Sequence, residues 1–328
     1  MRVIAHGGAG ADPDEPASRQ AVLDEAAAIG AREGTPTDAV VAAVSKLERS
    51  PRFNAGLGGA VQSDGVVRTD AGIMTDTREV GAACGMAGVR DAVSVARLVA
   101  EETPHVLLSG TRALDFAAAH GVETDLDLLT EATRERFGRL DPPALDEYAD
   151  HLAWVTEHFG ENGRDGGTRD DGPGGVRSHD TVGAVAVDEG KIAAATSTGG
   201  RWCALAGRVG DVPQVGSGFL CTSAGGASAT GAGEDIARTT LSRRAIDSLE
   251  AGRAPREAAE SAIAEFAERT GSTAGLIVVN EAGETGSAFN SETMQVSVAG
   301  DAADTDGTDE DGETDATDET DETDAIDE

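Results

Sequence analysis

The sequence changes character abruptly at Thr181. Residues 160–179, GENGRDGGTRDDGPGGVRSH, are rich in Gly, Asp and Arg and carry no apolar period, the composition of a flexible linker. From Thr181 the chain reads TVGAVAV, a run of small and branched apolar residues that predicts a buried strand. A threonine hydroxyl is a weak nucleophile unless a base stands beside it. A threonine at a chain terminus carries its own base, because an α-amine with an ordinary pKa of about 7.7–8.0 can take the hydroxyl proton. Cleavage of the Asp180–Thr181 bond would therefore turn a strand residue into an N-terminal nucleophile. Taken alone, a threonine that begins a strand is commonplace, so the reading needs partners.

Three further clusters supply them. Ala193–Gly200, AAATSTGG, places the hydroxyls of Thr196, Ser197 and Thr198 at the end of the strand expected to pair with the one at Thr181. Gly207-Arg208-Val209-Gly210-Asp211 sets a fork-shaped cation three residues from a carboxylate. One can clamp a carboxylate and the other an ammonium, so together they can read an amino-acid backbone. Thr230-Gly231-Ala232-Gly233-Glu234 puts a hydroxyl and bare N–H groups at a helix start, a place that can hold an oxyanion. Each also has an ordinary structural use: a polar turn, a surface ion pair, a helix cap.

The elements that must position these residues are legible in outline. A strand at Arg2–Ala5 enters the glycine cluster His6–Gly10, and helices follow at about Asp14–Glu33 and Thr37–Leu47. Leu47–Ala60, LERSPRFNAGLGGA, reads as a structured loop. Strands are expected at Val61–Thr69, Ala71–Thr75 and Val80–Val89, a helix from Asp91 or Ser94 to about Ala100, and more helices between Thr111 and His158. Beyond Thr181, a tight turn at Asp188-Glu189-Gly190 joins a second strand, Lys191–Thr196. Strands at Val215–Cys221 and Ala227–Thr230 precede helices at Glu234–Leu249 and Pro255–Arg269, then strands at Gly275–Asn280 and Ser287–Ala288. Strands and helices fall in blocks rather than in βαβ alternation, which favours an α+β arrangement of layered sheets flanked by helices.

Composition narrows the function classes. Aromatic residues are only 3% of the 328, so the core must be built from Val, Ala, Leu and Ile. The three cysteines, Cys84, Cys203 and Cys221, are spaced neither as a disulfide framework nor as a metal site. The N-terminal MRVIAHGGAG lacks the apolar stretch of a secretory signal, and the expected location is the cytoplasm. The net charge is −34. Residues 301–328 hold fifteen acids and no base, and the first three hundred residues still carry 26 cations against 45 acids, a net −19. That surface repels nucleic acid and anionic membranes, so neither is expected as a partner. It suits a salt-rich cytoplasm, where a Debye length of about 3 Å at 1 M screens the self-repulsion. The tail cannot bury enough apolar surface to order itself.

DTVGAVAV, AAATSTGG, GRVGD and TGAGE, in this order and at these intervals, resemble the plant-type (type III) asparaginase/isoaspartyl peptidase family of N-terminal-nucleophile hydrolases, which includes glycosylasparaginase. The resemblance extends upstream through HGGAG and LERSPRFNAGLG and downstream through GSTAGLIVV and AFNSETM, covering nearly all of residues 1–294 apart from the linker. It implies a four-layer αββα sandwich, with residues 1–180 as an α subunit and 181–328 as a β subunit of one domain, assembled as a homodimer of cleaved αβ units. It implies self-cleavage between Asp180 and Thr181, with Thr181 as nucleophile and Thr198 as the hydroxyl that tunes it. Arg208 and Asp211 would clamp the substrate α-carboxylate and α-amine, Thr230 and Gly231 would form the oxyanion hole, and Asn54 would be the active-site asparagine. Main-chain carbonyls of Leu47, Glu48, Ser50, Phe53, Ala55 and Leu57 would hold a structural sodium ion, and no cofactor would be needed for catalysis. The implied substrates are L-asparagine or β-aspartyl dipeptides.

The sequence also departs from that pattern. His179-Asp180 before the nucleophile resembles glycosylasparaginase, and the segment RWCALA at 201–206 differs from the family's usual lining near the clamps. A glycosylasparaginase-type hydrolase is therefore one alternative, and an uncleaved relative that binds amino acids through Arg208 and Asp211 is another. HGGAG lacks the spacing of a dinucleotide-binding loop.

Overall fold

The computed structural model describes residues 1–143, 148–157 and 181–301; residues 158–179, which include the linker read at 160–179, Asp180 and the acidic tail from 302 onward lie outside the described residues. Before Thr181 the chain forms β1 (Arg2–Gly10), α1 (Pro16–Gly30), α2 (Pro36–Glu48), β2 (Arg68–Thr75), β3 (Val80–Ala87), α3 (Ala92–Glu102), β4 (Leu107–Ser109), α4 (Gly110–Ala119), α5 (Glu131–Phe137) and α6 (Tyr148–Val155). After it come β5 (Val182–Asp188), β6 (Lys191–Thr198), β7 (Phe219–Thr222), β8 (Gly225–Gly231), α7 (Gly233–Thr239), α8 (Leu241–Glu250), α9 (Pro255–Thr270), β9 (Ala274–Asn280), β10 (Thr285–Phe289) and β11 (Thr293–Ala299). The fold is mixed α+β with two sheets.

One sheet has seven strands in the order β11-β1-β5-β6-β2-β3-β4, and the other has four in the order β10-β9-β8-β7. The strand that starts after Thr181 thus lies between β1 and β6, inside the larger sheet. Its alternation explains the packing: Val185 and Val187 belong to a core shared with Leu220, Ala227, Leu276 and Val278 of the smaller sheet. Val182, Ala184 and Ala186 face the opposite way, into a core with Leu23, Val40, Val44 and Val93 of α1, α2 and α3. Ile246 of α8 and Ile263 and Phe266 of α9 join the first core. With few aromatics, close approach replaces bulk: the Phe219 ring lies against Gly72, where a Cβ would come within 2.0 Å of it.

Local signals account for most boundaries. The β5–β6 hairpin closes on Glu189 and Gly190, both at positive φ (47° and 76°), as the expected tight turn requires. Helix α2 is capped by Thr35, whose hydroxyl accepts from the Asp38 N–H at 3.1 Å, and it opens on Pro36. Helix α9 opens on Pro255 and ends at Gly271 in the left-handed region.

Four features differ from the sequence reading. Strand β1 runs through the glycine cluster to Gly10, with a register shift between His6 and Ala9 that lets it stay paired with β11. The two strands expected at 61–75 are one strand, β2, preceded by an isolated Val61–Val67 bridge. The single helix expected at 234–249 is split at Thr240, which sits at φ 52°. There the N–H groups of Ser242 and Arg243 bond the Ser217 and Gly216 carbonyls, fixing α8 to the preceding loop. Strands β4 and β11 were not expected; β4 has only three residues and β11 mixes polar and apolar residues on the sheet edge.

Candidate active site at the start of strand β5

Thr181 is 6% exposed and stands one residue before β5. Pairing of Val182 with Ser197 brings the end of β6 alongside, and the Thr181 hydroxyl donates to Thr198 Oγ1 at 3.3 Å. Thr198 in turn accepts from the Gly200 N–H at 3.1 Å and points its own proton to the Asn54 carbonyl at 3.5 Å. Asn54 knits the preceding loop to this turn: its Nδ2 donates to the Gly200 carbonyl and its Oδ1 accepts from the Ala60 N–H, both at 2.7 Å. Asn54 is therefore a positioning residue for Thr198, with its amide spent on main chain.

The loop between β6 and β7 brings in the charged groups. A cleft is lined by Thr181, Thr198, Gly200, Arg201, Arg208, Gly210, Asp211, Gly231 and Gly233. The loop is held from behind by Gln62, which donates to the Arg208 carbonyl at 2.8 Å and accepts from the Gly207 N–H at 2.7 Å. Gly233 has no room for a side chain, since a Cβ there would lie 2.7 Å from Asp211 Oδ1 and 2.8 Å from Arg208 Nη2. Gly231, at φ 133°, is constrained the same way by the Thr273 carbonyl at 2.5 Å.

The electrostatics are uneven. The Arg208 fork grips Glu234 through Nε at 2.8 Å and Nη2 at 2.9 Å. Burial raises the Glu234 carboxyl, but the Arg208 hydrogen bond and charge outweigh it and hold the pKa at about 2. Asp211 is the reverse case: burial pushes it up to about 7 even though Arg208 pulls it down, and its buried Oδ2 has no hydrogen-bond partner among the described residues. That oxygen suits an incoming ammonium. Asp70, on β2 opposite Thr198, is also pushed to about 7 by burial, against the pull of the Gly85 N–H and of Arg208.

Beneath Thr181 lies a neutral polar lattice. Thr196 donates to the Gly218 carbonyl at 3.0 Å and shares a 2.7 Å bond with Ser228 Oγ, which lies 2.8 Å from His6 Nε2. Burial lowers the His6 pKa to about 3, against the pull of the Thr181 carbonyl, so His6 is neutral. Thr196 donates to Gly218, so Ser228 donates to Thr196 and accepts from His6 Nε2–H. Nearby, Thr230 is fully buried and its hydroxyl accepts from the Ala9 N–H at 3.3 Å.

The structure thus gathers Thr181, Thr198, Asn54, Arg208, Asp211 and Gly231 around one cleft, with Thr230 buried next to Gly231 in the chain. The sequence reading did not anticipate Asp70, Gln62, the His6–Ser228–Thr196 lattice or the Arg208–Glu234 pair. Glu234 stood in the TGAGE string without a role, and nothing local marks the others, whose partners lie far along the chain. Among the described residues no group of His, Cys, Asp and Glu could hold a metal ion, and no helix is long and apolar enough to cross a membrane. The loop expected to hold sodium curls on itself, with the Leu57 N–H on the Glu48 carbonyl at 2.8 Å and the Ser50 N–H on the Leu47 carbonyl at 3.0 Å.

Known proteins resemble this chain over most of its length. The model of the family described as "Asparaginase" matches residues 1–307. A plant-type L-asparaginase of Pyrococcus abyssi is 37% identical over 301 residues, covering 90% of this chain and 94% of that protein. A plant-type L-asparaginase of Pyrobaculum calidifontis is 40% identical over 303 residues, 89% of this chain and 94% of its own. An isoaspartyl peptidase/L-asparaginase of Danio rerio is 37% identical over 308 residues, 90% and 91% respectively. The chain belongs to the asparaginase family of enzymes.

Proposed function

We propose that the protein is an amidohydrolase that cuts itself before Thr181 and then hydrolyses the side-chain amide of L-asparagine and the β-aspartyl bond of isoaspartyl dipeptides. The observation that carries this reading is the Thr181 hydroxyl, 3.3 Å from Thr198 Oγ1 in a cleft that also holds Arg208 and Asp211. In maturation Thr181 Oγ1 attacks the Asp180 carbonyl, the acyl group shifts from nitrogen to oxygen and so frees the α-amine, and water then hydrolyses the ester to release the Asp180 carboxylate and the Thr181 hydroxyl. In turnover Arg208 and Asp211 hold the substrate α-carboxylate and α-ammonium. The Thr181 amine takes the hydroxyl proton as the oxygen attacks the side-chain carbonyl, then passes it to the departing nitrogen. Thr230 and the Gly231 N–H steady the oxyanion, an effect worth about 2.7–4 kcal/mol per donor. Water then hydrolyses the β-aspartyl ester, and no cofactor takes part.

The two sheets with helices packed on their outer faces support a four-layer αββα sandwich, with residues 1–180 and 181–328 as the two chains of one domain. Assembly as a dimer of cleaved units, a cytoplasmic location and adaptation to high salt belong to the same reading. The carbonyls of Leu47, Glu48, Ser50, Phe53, Ala55 and Leu57 form an all-oxygen set, the donor chemistry a hard cation such as sodium takes. Its place is structural: it would fix the loop that carries Asn54. His179-Asp180, the feature that resembles glycosylasparaginase, lies outside the described residues. The test is ammonia release from asparagine by Thr181→Ala. We expect a loss of at least about 10⁴-fold, since nucleophile and base go together; retained hydrolysis would refute the assignment.

A further inference from the structure

Arg201 lines the same cleft as Thr181 and enters it from the strand end that carries Thr198. Its side chain is about a third exposed, and its ion-pair partner among the described residues is Glu234 Oε2 at 3.9 Å. That is the outer limit of an ion pair. The same oxygen is already bonded by Arg208 Nη2 at 2.9 Å, and the other is taken by Arg208 Nε at 2.8 Å. Two guanidiniums therefore stand on one carboxylate, and Arg208 holds it. Among the described residues no short hydrogen bond satisfies the donor fork of Arg201, a residue that lines the cleft.

The position is built rather than incidental. Trp202, next in the chain, is 8% exposed, with the Arg136 guanidinium 4.0 Å over its ring and Phe137 packed edge-on at 6.4 Å. Cys203 is fully buried at φ 50°, and its N–H bonds the Val61 carbonyl at 2.8 Å. The backbone that presents Arg201 is thus clamped after it by Trp202 and Cys203 and before it by Asn54 Nδ2 on the Gly200 carbonyl, which limits the freedom lost on binding.

Asparagine carries one carboxylate and one ammonium, which Arg208 and Asp211 suffice to read. A β-aspartyl dipeptide carries a second carboxylate, on the amino acid that leaves. The structure assigns that second carboxylate to Arg201, making this residue the specificity determinant that favours β-aspartyl dipeptides with a free C-terminus over asparagine. The assignment rests on the amidohydrolase reading above and adds to it which leaving group the cleft is built to take. Both carboxylates of such a substrate then meet a guanidinium, and Glu234 stays on Arg208 as the counter-charge that keeps the two cations from repelling.

The test compares three substrates: asparagine, β-aspartyl-leucine and β-aspartyl-leucinamide, whose C-terminal carboxylate is blocked. In the wild-type enzyme, kcat/KM should be higher for the free dipeptide than for its amide. Arg201→Leu should lower the ratio of kcat/KM for β-aspartyl-leucine to that for β-aspartyl-leucinamide by about tenfold or more, a typical loss for one charge-assisted contact. Arg201→Lys should restore part of it. An equal loss on all three substrates would make Arg201 a support for Arg208 and overturn the assignment, as would an unchanged ratio or a wild-type enzyme that cleaves asparagine but not the dipeptide. A cleaved, folded wild-type protein that hydrolyses none of the three contradicts the amidohydrolase reading itself.

Discussion

The lattice beneath Thr181 and the clamp beside it are built from similar materials and behave oppositely. In the lattice, His6, Ser228 and Thr196 form a chain of hydrogen bonds ending on the Gly218 carbonyl, and His6 is held neutral with a pKa of about 3. In the clamp, Asp211 has a buried oxygen with no partner among the described residues and a pKa raised to about 7. A network whose hydroxyls are all bonded, with His6 Nδ1 left without a partner among the described residues, stiffens the junction of β1, β5, β6 and β8 without responding to pH. An unsatisfied carboxylate oxygen on a residue that lines the cleft is a place prepared for a cationic ligand. The contrast teaches where this molecule keeps its rigidity and where it keeps its binding energy.

Of the two regions, the clamp should give the larger effect when broken. Arg208→Leu removes the bidentate fork and leaves Glu234 without its main counter-charge, and we expect kcat/KM for asparagine to fall by about 10²-fold or more, chiefly through KM. Steady-state kinetics check this; an unchanged KM with unchanged kcat/KM would take Arg208 out of the site.

A pH profile sharpens the comparison. Below about pH 7 Asp211 takes up a proton, loses its charge and can no longer pair the substrate ammonium. The Thr181 amine, ordinarily near 7.7–8.0, must also be unprotonated to act as base. The acid limb of log kcat/KM should therefore approach a slope of two, while log kcat, measured with the ammonium already bound and Asp211 held ionised, should show a slope of one. His6 stays neutral throughout and adds nothing. A slope of one in both profiles would remove Asp211 from substrate binding.

The smallest catalytic effect should come from the lattice. Ser228→Ala strands the His6 Nε2–H, and we expect about 1–3 kcal/mol of lost stability. Thermal unfolding should register a drop of about 2–4 °C per kcal/mol, while KM changes little. A large KM effect without destabilisation would mean that the lattice belongs to binding after all.

Much of the site could be read from the chain because its parts are short and local. The linker meeting TVGAVAV, the hydroxyls of TSTGG and the Arg208–Asp211 spacing each sit within a few residues, and β5 and β6 are joined by a two-residue turn that makes their pairing evident. The lattice could not be read, because His6 and Ser228 are 222 positions apart and nothing at either end names the other. Asp70 was missed for the same reason: only sheet register sets it opposite Thr198. The break between α7 and α8 depends on Thr240 adopting a left-handed conformation, which the loop at Gly216 and Ser217 imposes and the local sequence does not advertise. Glu234 was visible as a letter and invisible as a partner, since its role depends on where the Arg208 fork points.

The central claim is that Thr181 becomes a chain terminus, and intact-mass spectrometry of the purified protein after incubation in high salt tests it most directly. The account predicts two fragments, Met1–Asp180 and Thr181–Glu328. A single intact chain that persists on prolonged incubation and still hydrolyses asparagine would contradict it.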